Sequence, residues 1–336
     1  MRLIMFGTGP FAVPTFESLL ESDHEVLALV TRPIIDSGRR RKTSENPTRD
    51  TGQQAGLTIL DPSNVNEDDV VTQLAMMKAD LFVVCDYGQI LSSECLAAAK
   101  LGGINLHGSL LPKYRGAAPI NWAIYHGEPT TGITIIHMTP KLDGGPCLVK
   151  VETEIHQQET TETIEPRLAQ LGVKPVLDSI NMLAEWDGIS VIGEKQDRKL
   201  ATKAPRLKKS DGNIDWNRST HQIVNQIRAF QPWPGSYTNW KSNKLKQPMR
   251  LIVHRARLID EDEIAELRSQ SDSDLQLAPA AEFKPGQVVV NRDQLVIQTG
   301  QGKLAIEQIQ PAGKRSMPIA DFLRGKPPEI GDWMTA

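Results

Sequence analysis

Asn105 and His107 stand two residues apart in Gly103-Ile104-Asn105-Leu106-His107-Gly108. If this stretch is a strand, its period of two puts both side chains on one face, and the C-terminal edge of an open α/β sheet is where ligands bind. A carboxamide that can donate to an oxygen and an imidazole that can donate or move a proton then converge on one point. Asp143 lies in Met138-Thr139-Pro140-Lys141-Leu142-Asp143-Gly144-Gly145-Pro146, where paired glycines and two prolines make a stiff loop between strands. From there a carboxylate could reach a histidine at a neighbouring strand end. Each group also has a plain structural reading: Asn105 and His107 can satisfy backbone groups, and Asp143 can be a turn residue before glycine.

A second motif, Gly7-Thr8-Gly9-Pro10-Phe11-Ala12, follows the first apolar run and fits the dinucleotide fingerprint G-x-G-x-x-A. A nicotinamide-dependent oxidoreductase is therefore one alternative. Against it, the next strand ends at Val30-Thr31-Arg32, with no acid placed for a ribose hydroxyl, although Arg32 could meet a 2′-phosphate. A tight strand-to-helix turn needs glycine on steric grounds alone. The seven histidines are scattered singly, so no metal is expected, and His137 reads as a core or strand-end residue. Cys85, Cys95 and Cys147 lie too far apart for a C-x-x-C site and are not placed for a covalent intermediate.

These residues need a scaffold. Up to residue 110, β-rich runs (RLIMF, EVLALVT, LTIL, LFVVCDY, GINLH) alternate with helical patterns at 12–22, 46–55, 66–78 and 92–99. That alternation predicts a Rossmann-like open sheet with crossover helices. GITIIHM and LVKVETEI predict further strands, and 160–185 a closing helix. Later, a helix at 220–229 and the runs RLIVHRARLI, GQVVVNRDQLVIQTG and GKLAIEQIQPAG predict a small OB-like β-barrel. The expected division is a first domain over 1–197, a basic linker over 198–212 and a barrel over 213–331, with 260–282 a loose surface insertion.

A chain of 336 residues fits two such domains, and 39% hydrophobic with 24% charged residues excludes disordered and membrane classes. No apolar run is long enough to span a bilayer, and a reducing cytoplasm suits the cysteine pattern. The net charge is −3, but it is unevenly placed. Residues 198–257 carry fourteen Lys and Arg against Asp211 and Asp215, or +12, and 258–282 carry eight acids against Arg268, or −7. Residues 32–49 carry six cations against two acids, or +4. A charge run is usually a solvated face, yet +12 over sixty residues in an acidic protein points to a polyanionic partner.

The stretch Asn105 to Ile120, of the form N-x-H-x-S-L-L-P-x-Y-R-G-A-A-P-I, is followed by Thr131-Gly132-Ile133-Thr134, Met138 and Leu142-Asp143-Gly144-Gly145. Together these closely resemble the signature of the formyltetrahydrofolate-dependent formyltransferases. The resemblance implies 10-formyltetrahydrofolate as co-substrate and Asn105, His107 and Asp143 as catalytic candidates. Asn105 and His107 would hold the oxyanion of a tetrahedral intermediate. Asp143 would favour the protonated imidazole and accept the amine proton, directly or through water. The resemblance also assigns folate binding to Tyr87, Gly88, Gln89, Ile90 and Leu91, whose segment holds the pterin through its backbone, and to Ser109, Leu110, Leu111 and Pro112.

That block names the donor rather than the acceptor, and small-molecule or sugar amines stay open as acceptors, as does a non-catalytic RNA-binding role. Ala201 to Leu207, Ile214-Asp215-Trp216, Ile227 to Phe230, Pro232 to Gly235, Gly313 to Met317 and Phe322 to Gly325 resemble the second domain of the tRNA-dependent members. This implies initiator methionyl-tRNA as the acceptor partner, with no obligate protein partner. Arg39, Arg40, Arg41 and Lys42, and Lys203, Arg206, Lys208 and Lys209, become tRNA-binding candidates. The chain departs from the family pattern at Gly9, where proline is usual, at Asp86, where alanine is usual, and at Asn121, where glutamine is usual. An added carboxylate at 86 is expected to weaken folate binding.

Overall fold

The computed structural model describes residues 1–34, 46–269, 283–291, 294–325 and 327–336. They fall into two compact units: Met1–Ile120 with Pro129–His156 and Thr163–Arg206, and Asn121–Glu128 with Gln157–Glu162 and Leu207–Ala336.

The first unit runs β1 (Arg2–Gly7), α1 (Val13–Leu20), β2 (Glu25–Val30), α2 (Pro47–Gln54), β3 (Thr58–Leu60), α3 (Asp68–Met76), β4 (Leu81–Cys85), α4 (Ser93–Leu96) and β5 (Gly103–His107). It continues through β6 (Arg115–Gly116), β7 (Thr130–His137), β8 (Cys147–Glu154), α6 (Thr161–Ala184) and β9 (Lys203–Ala204); α5 (Pro119–Tyr125), between β6 and β7 in the chain, lies mostly in the second unit. The sheet order is β3-β2-β1-β4-β5-β7-β8, parallel through β5, with β7 and β8 antiparallel. β1 and β4 are nearly unbroken apolar runs because both faces of a parallel sheet are covered; β8 alternates in burial because it is an edge with one wet face. The order reverses between β1 and β4, which makes that crevice the switch point.

On β5, Leu106 faces α6. A Cβ at Gly172 would stand 2.7 Å from the Leu106 side chain, so the helix approaches the strand through its glycine. Asn105 and His107 are thereby left on the opposite face.

The second unit contains α7 (Thr220–Ala229), β10 (Ser236–Lys241), β11 (Met249–Ile259), α8 (Glu261–Ser269), β12 (Val288–Asn291), β13 (Leu295–Gln298), β14 (Lys303–Pro311), β15 (Met317–Pro318), α9 (Ile319–Leu323) and β16 (Trp333–Thr335). Its antiparallel sheet has the order β12-β13-β14-β11-β10-β16, with β15 on β14. Backbone bonds Val288 N to Asp332 O, 2.9 Å, and Met334 N to Gly286 O, 2.7 Å, join its two ends, so the sheet is a nearly closed barrel. Trp216, Ile223, Leu251, Ile297, Ile306 and Met334 fill it. Tyr125 stacks on Phe230 at 5.2 Å, which is why a segment from the first half of the chain belongs to this unit.

Residues 260–282 were expected as a loose insertion, and for their described part this is corrected. Residues 261–269 form α8, where buried Ile264 joins Ile259, Val289, Val296 and Ala305. Glu261 pairs with Lys303 and Glu263 with Arg257, so the acids answer the barrel's own cations.

Candidate active site

β7 runs antiparallel to β5 with His137 opposite Ile104, so it ends beside the start of β5. The loop 138–146 must therefore double back across the sheet to bring Asp143 to His107. It does so: Asp143 Oδ2 lies 3.8 Å from His107 Nδ1. The same oxygen accepts a hydrogen bond from Gly116 N at 2.8 Å. His107, 5% exposed, also meets the Tyr114 carbonyl through Nε2 at 2.9 Å. A carbonyl can only accept, so Nε2 carries the proton and Nδ1 is the ring atom turned toward Asp143. Asn105 is half-buried, and its carboxamide makes no hydrogen bond among the described residues.

Neutral groups hold the loops. Gln196, 7% exposed, donates through Nε2 to the carbonyls of Asp143 at 2.9 Å and Gly145 at 2.7 Å. Its Oε1 accepts from Arg115 Nε and Nη2 at 3.1 and 2.6 Å. Asp143 has φ 45°, a left-handed conformation that aspartate tolerates better than most residues. Thr134 accepts from Leu111 N at 3.0 Å and donates to Ser109 O at 2.7 Å, fixing the turn after β5. Thr202 Oγ1 accepts from Tyr114 N at 2.8 Å. Gln196, Thr134 and Thr202 are the supports that sequence reading missed, since isolated polar residues far apart in the chain carry no pattern.

Of the folate candidates, Tyr87 is a core side chain edge-on to Phe6, so its backbone alone is offered to a ligand. Gln89 is engaged by its side chain with Val65 N at 2.9 Å and Pro62 O at 3.3 Å. Gly88 has φ 79° and its carbonyl accepts from Arg32 Nη2 at 2.5 Å. Ile90 is exposed and Leu91 buried. Ser109 is fully buried and donates to Lys113 O at 2.8 Å; Leu111 is buried, and Leu110 and Pro112 are partly exposed. Lys203, Arg206, Lys208 and Lys209 are all exposed, and Lys203 also sits in β9, which pairs with β6 inside the segment expected as a linker. Arg39, Arg40, Arg41 and Lys42 lie outside the described residues.

Two of the departures from the family pattern touch each other. A Cβ at Gly9 would stand 1.9 Å from Asp86 Oδ2, so glycine at 9 is what leaves room for the carboxylate at 86. Asp86 lies at the end of β4, at the switch point, reached by water yet ringed by protein. That surrounding desolvation pushes its carboxyl up to about 6, with Arg32 pulling the other way. Burial and the charge of Asp86 push the carboxyl of Glu165 up as well. Among the described residues no group of three or more His, Cys, Asp or Glu could hold a metal ion, and no helix is long and apolar enough to cross a membrane.

The sequence matches the formyl transferase family over residues 1–180 and the C-terminal domain of formyl transferases over 206–327. It is 38% identical over 332 residues to a methionyl-tRNA formyltransferase of Rhodopirellula baltica, covering 97% of this chain and 94% of that one. In fold it is similar to HypX from Aquifex aeolicus in complex with tetrahydrofolic acid, with a TM-score of 0.58 and 18% identity over all of this chain and 50% of that one. It is likewise similar to the methionyl-tRNA formyltransferase from Clostridium thermocellum, with a TM-score of 0.53 and 17% identity over 77% of this chain and 94% of that one. The loop that doubles back to set Asp143 beside His107, the two family matches and the full-length relative agree: this chain is an enzyme and belongs to the formyl transferase family.

Proposed function

We propose that the chain transfers the formyl group of 10-formyltetrahydrofolate to the α-amino group of methionine carried on initiator tRNA, a step that prepares it for translation initiation. The observation that carries the chemistry is Asp143 Oδ2 at 3.8 Å from His107 Nδ1, with Asn105 on the same face of β5 as His107. The full-length likeness to a methionyl-tRNA formyltransferase supports the acceptor. The tetrahydrofolate bound by a protein of similar fold supports the donor.

In this reaction a C–N bond forms between the amine and the formyl carbon, and the bond from that carbon to N10 breaks. The α-amine has an ordinary pKa near 7.7 to 8.0, so at neutral pH much of it must first give up a proton. Attack puts a negative charge on the formyl oxygen. The Asn105 carboxamide, with no hydrogen bond to a described residue, is a donor ready for that oxyanion. His107 donates its Nε2 hydrogen to the Tyr114 carbonyl, which fixes the ring with Nδ1 turned toward Asp143. Asp143 takes the amine proton, directly or through water, and returns it to N10 as the bond from the formyl carbon to N10 breaks. Protons and electron pairs balance with no covalent enzyme intermediate.

Exposed Lys203, Arg206, Lys208 and Lys209 supply cations for tRNA phosphates. The test is incubation of purified protein with 10-formyltetrahydrofolate and charged initiator tRNA, with N-formylmethionine as the expected product. Absence of that product, alongside transfer to a sugar amine, would overturn the acceptor.

A further inference from the structure

A cavity of about 410 Å³ opens in the first unit on the far side of the Asp143 loop. Arg115, Lys141, Lys195 and Arg198 line it together with Trp186 and Ile192, and no Asp or Glu is among its lining residues. None of the four cations makes an ion pair among the described residues, and Arg115 is bonded to the neutral amide of Gln196. Like charges gathered in a concave wall raise its potential and concentrate anions.

Trp186 is fixed there. Its indole Nε1 donates to Ser190 O at 2.9 Å and Ser190 Oγ at 3.0 Å, and His137 packs against its ring at 5.3 Å. His137 is itself pinned through Nε2 to the Leu101 carbonyl at 2.8 Å. The loop 138–146 lines it through Thr139, Lys141, Gly144 and Pro146, with Gln196 beside them, so an occupant would sit against the loop that carries Asp143. The volume falls within the usual 300 to 1,000 Å³ or so of a small-ligand site.

From this geometry we infer that the cavity holds one nucleotide of the single-stranded end of the RNA acceptor, its phosphate among the four cations and its base against Trp186. Cations spread around a fixed aromatic ring are the arrangement that binds single-stranded nucleic acid, whereas a carboxylate tail would use the charge and leave the indole idle. The inference rests on the acceptor proposed above.

The test compares Trp186→Ala, Trp186→Phe and the pair Lys141→Ala/Lys195→Ala with wild type. KM for charged tRNA should rise about 5- to 100-fold in Trp186→Ala, the usual cost of removing the platform for one stacked base, and much less in Trp186→Phe. In the lysine pair, the slope of log K against log[salt] for uncharged tRNA should flatten by about 0.7 to 0.9 for each phosphate that is no longer neutralised. KM for the folate donor should stay unchanged throughout. An unchanged tRNA KM and salt slope would overturn the inference, as would a rise in donor KM alone, which would assign the cavity to the donor's carboxylate tail. Wild-type formylation of tRNA is measured in the same series. Its failure would sink the acceptor proposal, whereas product formation with unaffected variants would sink only the cavity.

Discussion

The proximity of Gly9 to Asp86 gives a prediction whose size follows from geometry. Gly9 has φ −89° and ψ 176°, ordinary extended backbone that alanine adopts freely, so Gly9→Ala carries no conformational penalty of its own. Its methyl would nevertheless stand 1.9 Å from Asp86 Oδ2, more than an ångström inside any real contact. The obstructing atom ends an exposed side chain, so the carboxylate can swing away, and the cost is at the low end of overpacking, about 1 kcal/mol. For a domain of 150 to 250 residues that lowers Tm by roughly 2 to 4 °C. Asp86→Gly removes the obstructing group, and φ 48° at that position suits glycine. Gly9→Ala should therefore cost almost nothing in the Asp86→Gly background, a coupling of about 1 kcal/mol. Calorimetry on the four proteins of the cycle decides it. Equal losses in the two backgrounds would show that something other than this contact requires glycine.

Asp86→Asn should stabilise the protein relative to wild type increasingly from pH 4 to pH 6. The native carboxyl, pushed up to about 6, binds its proton more tightly than the unfolded one, so wild-type stability falls across that window. A Tm difference between the two that does not change between pH 4 and pH 7.5 would contradict this. Asn105→Ala and His107→Ala should each lower kcat by about 10² to 10³ with little change in folate affinity, and a loss of affinity at constant kcat would reassign them to binding. Gln196→Ala should lower kcat by about tenfold or more by freeing the Asp143 loop while KM for the donor holds. Gln196→Glu, which puts a carboxylate oxygen against two carbonyls, should be worse than alanine, and the reverse order in steady-state assays would refute the positioning role.

Most of the first sheet was legible because β1, β4, β5 and β7 are largely apolar, nearly continuously buried runs, and Asn105 and His107 were legible because a strand's period fixes which residues share a face. The path of Asp143 was not. Sequence supplied a stiff loop between two strands, but only the antiparallel register of β5 and β7 shows that the loop leaves from the wrong end and has to fold back. The acidic stretch misled for a related reason: its charges pair with Lys303 and Arg257, forty-two and six residues from their respective partners, so a run that looked solvated is partly packed. Gly9 and Asp86 were visible singly as departures from a pattern. Their contact was not, because β1 and β4 meet across the switch point and nothing in either local sequence says so.

The choice of glutamine at 196 ties these features together. Two carbonyls, of Asp143 and Gly145, need a donor there, and Arg115 needs an acceptor. A carboxylate would serve Arg115 but repel the carbonyls, and a lysine or arginine would serve the carbonyls but repel Arg115. An amide meets both demands at once and adds no charge. Arg115 therefore keeps its positive charge for the cavity while its position is fixed, and Asp143 is held by its backbone, leaving its carboxylate to Gly116 N and His107. One neutral side chain thus sets both the wall proposed for the acceptor's end and the carboxylate proposed to take the acceptor's proton. On the placement proposed above, a shift of the RNA end against Arg115 would reach Asp143 through two hydrogen-bonded contacts, and so would couple acceptor placement to the proposed proton transfer.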